Sequence, residues 1–222
     1  MEVFYNRSDI ELQLTSAFQN RYKRKDAALT GILLARPEDK VAKELVLPNF
    51  EYWHYRSDFY TDFFCAGYIP TEFVSTAKPV GVTIEGLEWG FSLPAFVEIV
   101  EALEREAHWK YEGDTCLLLL SSYFDGQRAR LDFRRCLRLN LREALEDKAI
   151  ATPTQLVDGI FAIAKQINEG VEDPVWELSD KLGYKVIKSG IKDALLSLLP
   201  SWLAPSTRKA IHFAVHQHAG DA

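Results

Sequence analysis

Ile10, Leu14, Ala17 and Phe18 recur at the three- and four-residue spacing of a single helix face, and Ser8 with Glu11 supplies a capping box at the start of that face. The spacing predicts a helix that ends in the basic run Arg21, Lys23, Arg24 and Lys25, where cations suit the negative end of the helix dipole. A short strand is expected before it, over residues 3–5, and a buried strand after it, over residues 31–35, bounded by Gly31 and Pro37. The opening therefore reads as β-α-β, which predicts two parallel strands joined by a right-handed crossover.

Residues 50–68 are dense in aromatics, with Tyr52, Trp53, Tyr55, Phe59, Tyr60, Phe63 and Phe64, a composition that favours strands. Two shorter strands are expected at residues 80–84 and 87–91, broken by Gly86. Ser92 then caps a helix to about His108, with Phe96, Ile99, Val100, Leu103 and Ala107 as its inner stripe. The unbroken run of residues 116–120 predicts a central strand covered on both faces. After the turn at Asp125 and Gly126, Ala129, Leu131 and Phe133 alternate with Arg128, Arg130, Asp132 and Arg134, the pattern of a half-exposed strand. From Thr152 the pattern turns helical: Thr152, Pro153 and Gln155 form a start signal, followed by Leu156, Ile160, Phe161, Ala164 and Ile167 at helical spacing. Further helical segments are expected from Asp173 to the stop at Pro200, and again from Ser206. The fold class expected is α/β, a mixed sheet covered by helices over residues 1–150, with an all-helical C-terminal section over residues 151–222.

Composition narrows the class without naming a function. Of 222 residues, 47% are hydrophobic and 26% charged, enough apolar material for a core and too little charge for a disordered chain. No apolar stretch approaches the ~20 residues that span a bilayer, and the first residues lack the basic start and apolar segment of a signal peptide, so a cytoplasmic location is expected. Cys65, Cys116 and Cys136 stand apart with no CxxC spacing, which predicts reduced, buried thiols in place of a disulfide framework or zinc knuckle. The formal net charge of −6 makes the whole molecule repel nucleic acid, so any such binding must be local. Arg128, Arg130, Arg134 and Arg138 are the candidates, because alternate strand positions project to one side.

Several constellations could carry chemistry. If residues 50–68 form a hairpin with a three-residue loop, His54 falls opposite Asp62, where the carboxylate would orient the imidazole. Arg56 and Asp58 would share that face, making His54, Arg56, Asp58 and Asp62 the candidate catalytic set for a phosphate-substrate hydrolase or nuclease. A two-residue loop breaks the pairing, and the same residues also suit a salt-bridged surface strand. Cys65 with His54 is a conceivable thiolate and imidazole pair, against the ordinary reading of a buried inert thiol. His212 and His216 lie four apart and, with His218, could share an ion on a helix, but no HExxH supports them and no metal or cofactor is expected. GxSxG, GxGxxG and Gly-rich phosphate loops are absent from the chain. Lys181, Lys185, Lys188 and Lys192 fall in one stripe of a helix expected over residues 180–199, beside an apolar face formed by Ile187, Ile191, Ala194, Leu195 and Leu198. That helix is either a partner-binding or membrane-surface element, or a core helix with a solvated rim.

Trp53-His54-Tyr55-Arg56-Ser57, then Asp62-Phe63-Phe64 and Gly67-Tyr68, then Trp109-Lys110-Tyr111 before Asp114 and the strand at residues 117–120, resemble uncharacterised proteins of bacterial defence and conflict gene neighbourhoods. The resemblance implies a bacterial cytosolic accessory or sensing component and carries no catalytic motif onto these positions. The function expected is an interaction or accessory module binding a protein partner, with an enzyme built on the His54 set as the alternative.

Overall fold

The computed structural model describes residues 7–20, 27–57, 61–107, 109–166 and 215–217. Helix α1 (Arg7–Asn20) buries the stripe Ile10, Leu14, Ala17 and Phe18 expected of it. Strand β1 (Ala27–Leu34) follows, and a π-helical turn (Ala42–Val46), a 3-10 turn (Leu47–Asn49) and helix α2 (Phe50–Ser57) carry the chain across to β2 (Thr61–Cys65). β1 and β2 pair in parallel, joined by a crossover that carries α2. The strand expected at residues 3–5 lies outside the described residues.

Residues 50–57 correct the strand reading of the aromatic segment. Phe50, Trp53 and Ser57 are its buried positions, a spacing of three and four that only a helix turns to one side. Phe50 packs edge-on against Tyr68 with ring centroids 5.0 Å apart, and Pro48 sits at the start of the preceding turn, where its missing N–H costs nothing. The hairpin that would have opposed His54 to Asp62 does not form.

The remaining strands are β3 (Tyr68–Pro70), β4 (Lys78–Ile84), β5 (Leu87–Phe91), β6 (Cys116–Phe124), β7 (Ala129–Asn140) and β8 (Val215–Gln217). They form a five-stranded sheet in the order β2-β1-β6-β7-β8 and a three-stranded sheet in the order β3-β5-β4. All pairs other than β1 with β2 are antiparallel. The architecture is thus α/β with a mixed sheet, and the run at residues 116–120 is its central strand, buried throughout. Among the described residues, no helix is long and apolar enough to cross a membrane.

Cross-strand neighbours project to the same side of a sheet, so the register assigns its faces. Leu131 lies level with Ser122 and Ala28 on one face, where Leu131 and Phe133 meet Ile10 of α1 and Ile99 and Leu103 of α3 (Leu93–Ala107). Phe63 lies level with Gly31 and Leu119 on the other, where it meets Phe161 of α5 (Pro153–Gln166) with ring centroids 5.1 Å apart. A side chain on Gly31 would strike the Phe63 ring at 2.8 Å, which explains glycine in the middle of a buried strand. Thr152 caps α5 as expected, its hydroxyl accepting the Gln155 N–H at 3.1 Å. Beyond α5, the expected helices over residues 167–214 lie outside the described residues, whereas Val215–Gln217 pair with β7, so a helix starting near Ser206 does not run through them.

Candidate functional sites

The three described members of the His54 set diverge. Asp62, in β2, is buried beside Thr30 on the α1 and α3 face of the sheet. His54 and Arg56 sit on α2, which packs on α5, β2 and β4. Asp58 lies outside the described residues. The imidazole finds its carboxylate elsewhere: His54 Nε2 is 3.1 Å from Glu85 Oε1, at the β4–β5 turn, where Glu85 has a φ of 52°. The bond to His54 holds the Glu85 carboxyl below its usual range. Arg56 Nε lies 3.7 Å from Asp158 Oδ1 on α5, and the same carboxylate accepts the Tyr52 hydroxyl at 2.9 Å. Tyr52 and Tyr55 are 43% and 59% exposed, with Tyr55 edge-on to the His54 ring at 5.3 Å. The outer side of α2 therefore presents two tyrosines, a histidine and an arginine, held by links to α5 and to the β4–β5 turn.

Cys65 is fully buried and burial pushes its thiol far above the ordinary range, in keeping with the expected inert thiol and against the alternative thiolate and imidazole pair with His54. Burial likewise raises Cys116 to about 12 and Cys136 to about 11, and all three cysteines are free thiols as expected. Among the described residues, no group of three or more His, Cys, Asp or Glu side chains is arranged to hold a metal ion. His216 lies in a strand, so the helical pairing with His212 does not arise.

The arginines of β7 do not share a face. Between Leu120↔Cys136 and Ser121↔Asp132 the partner strand advances one residue while β7 advances four, a bulge over residues 133–135 that reverses the alternation. Arg130, level with Tyr123, projects to the α5 side, whereas Arg138, level with Leu118, projects to the opposite side. Arg138 is also occupied, its guanidinium 5.1 Å above the Trp109 ring and 3.3 Å from Glu112. Arg128 and Arg130 are exposed at the β6–β7 turn, where Asp125 accepts the Arg128 N–H at 2.8 Å and lies 4.0 Å from Arg130 Nε. Arg134 lies within the bulge, and its side chain is outside the description. Lys181, Lys185, Lys188 and Lys192 also lie outside the described residues.

A second polar cluster escaped the sequence reading. Leu34, Cys116 and Asn140 form one row across β1, β6 and β7, so the residues just beyond these strands gather at a single edge of the sheet. Asn140 caps α4 (Leu141–Glu146), accepting the N–H groups of Arg142 and Glu143 at 3.1 and 3.3 Å. This cap directs Arg142 back onto Asp39, with which it makes a short ion pair, and onto Asp114 Oδ1 at 2.9 Å. Asp39 also accepts the Thr115 hydroxyl and the Ala42 N–H, and its side chain is 5% exposed. Burial works against its charge, but the bonds from Thr115 and Arg142 win and hold the carboxyl below its usual range. Asn140 and Glu143, three apart beyond an apolar strand, were the legible signal for the cap. Its junction with Asp39 was not legible, since the two residues are about a hundred positions apart and only strand register joins them.

Compared with protein-family models, with curated proteins and with solved structures, the chain matches none.

Proposed function

We propose that this chain is an interaction module, an accessory component of a cytosolic bacterial defence assembly, and that it docks a protein partner through the outer side of α2. The observation that carries the reading is Tyr55, 59% exposed on a helix whose neighbouring side chains are tied to α5 and to the β4–β5 turn. Tyrosine and arginine dominate protein interfaces because each offers a large contact area and directional hydrogen bonds. Holding Tyr52, His54 and Arg56 before binding lowers the ordering cost that a partner must overcome. A protein fits this surface better than nucleic acid does, because the carboxylates of Glu85 and Asp158 stand beside His54 and Arg56 and the chain carries a net charge of −6. The divergence of His54 from Asp62 leaves the enzymatic alternative without a common centre.

The test is affinity purification of the wild type and of the Tyr55→Ala, Arg56→Glu double variant from native lysate, with melting temperatures measured in parallel. The expected outcome is a specific partner lost from the variant while its melting temperature stays nearly constant. Retention of the same partner by the variant would return α2 to an ordinary solvated helix.

A further inference from the structure

The edge at which β1, β6 and β7 align opens into a polar cleft of about 300 Å³ lined by Arg36, Glu38, Asp39, Lys40, Gly113 and Arg142. It lies beyond the carboxyl end of β1, from which the chain crosses to β2 on one side while β6 lies on the other. Arg36 Nε, in the lining, makes no hydrogen bond among the described residues, and neither does the buried Tyr111 hydroxyl, which lies outside the lining. A buried donor left without a hydrogen bond is costly, which makes Arg36 Nε a sign of something that completes it. The ion-pair partner of Arg36, Glu38, stands 3.5 Å away on an exposed side chain. Lys40 is exposed and makes no ion pair among the described residues. Burial keeps the Tyr111 hydroxyl protonated, with Arg36 acting in the opposite sense and Asp39 and Asp114 reinforcing it. The acids deeper in the cleft are already committed, since Asp39 and Asp114 both bind Arg142. What remains is Lys40 with no ion pair among the described residues and Arg36 with a single exposed partner, Glu38, at 3.5 Å.

We propose that this cleft binds the oxyanion group, carboxylate or phosphate, of a small molecule, with Arg36 and Lys40 as its cationic contacts. Arg36 supplies the directional fork that suits either group, and Lys40 adds a point charge at the mouth. Asp39 and Asp114 act as positioning residues by fixing Arg142 as one wall. The site uses no residue of the α2 surface and stands independently of the docking reading.

The experiment is a titration of the full chain with inorganic phosphate and, separately, with acetate, replacing chloride at constant ionic strength and following backbone amide shifts by NMR. Saturable shifts confined to residues near Arg36, Lys40 and Gly113 are expected, weakened about tenfold in Arg36→Gln and in Lys40→Gln. A response to both anions assigns a general oxyanion site, and a response to one assigns that group. Response to neither, or equal affinity in wild type and both variants, would overturn the proposal. Should Arg36→Gln fail to fold, Lys40→Gln still decides the matter, because that side chain is exposed. Tyr55→Ala should leave the titration unchanged, which separates this site from the partner surface.

Discussion

Asp39 shows how a single carboxylate can join segments remote in sequence. Its two oxygens receive Thr115, Arg142 and the Ala42 N–H, so it ties the β1 exit to the entry of β6 and to the start of α4. The folded-state pKa lies below the ~3.9 of an unfolded aspartate, so the stabilisation is fully present above about pH 4. It is lost as pH falls through the lower folded value. Asp39→Asn removes the charge while keeping the shape, and should cost about 1.5–3 kcal/mol at neutral pH, the range for a hydrogen bond to a charged group. It should also flatten the acid limb of the stability curve. Urea titrations from neutral to acid pH measure both effects, and an unchanged acid limb would show that other carboxylates govern acid unfolding.

At the scale of elements, local chemistry and long-range packing contribute differently to α5 and α2. α5 announces itself, with Thr152 capping, Pro153 opening the first turn and a buried stripe of Leu156, Ile160, Phe161 and Ala164. Thr152 is exposed and its hydroxyl accepts the Gln155 N–H, so Thr152→Ala isolates the cap from core packing. The variant should lose about 1 kcal/mol, read as a shift in denaturation midpoint with unchanged m-value. No shift would mean that packing of α5 on Phe63 alone holds its first turn. α2 has no comparable local signature. Its eight residues are rich in strand-forming aromatics, and it becomes a helix because Phe50 and Trp53 find the core together, against Tyr68 and each other.

At the scale of the whole molecule, the described arginines of the β6–β7 turn and β7 are dispersed, and this bears on how it meets polyanions. The bulge at residues 133–135 sends Arg130 and Arg138 to opposite faces, and Arg138 is engaged with Trp109 and Glu112. Of the four candidates, Arg128 and Arg130 have exposed side chains at the β6–β7 turn. Binding to duplex DNA should therefore be weak even at low salt, with a log K against log salt slope no steeper than about −2, since each neutralised phosphate contributes about −0.9. Fluorescence anisotropy across a salt series measures it. A slope several times steeper would reveal a basic surface beyond these two side chains.

Sequence by itself determined the elements whose period is local: the α1, α3 and α5 stripes, the β4–β5 hairpin around Gly86, the central run of β6 and the first half of β7. In the helices and the first half of β7 burial follows a repeat of 3.6 or two that neighbouring residues already display, and in β6 an unbroken apolar run is buried throughout. Tertiary structure alone decided three things. It made residues 50–57 a helix, because eight residues of mixed aromatics satisfy either period until core partners select one. It inverted the face of β7 partway along, because alternation cannot reveal where extra residues will be extruded from a ladder. And it assembled the cleft, because Arg36, Lys40, Gly113 and Arg142 are neighbours only when Leu34, Cys116 and Asn140 fall into one row, a register set by the buried faces of the whole sheet rather than by any segment of it.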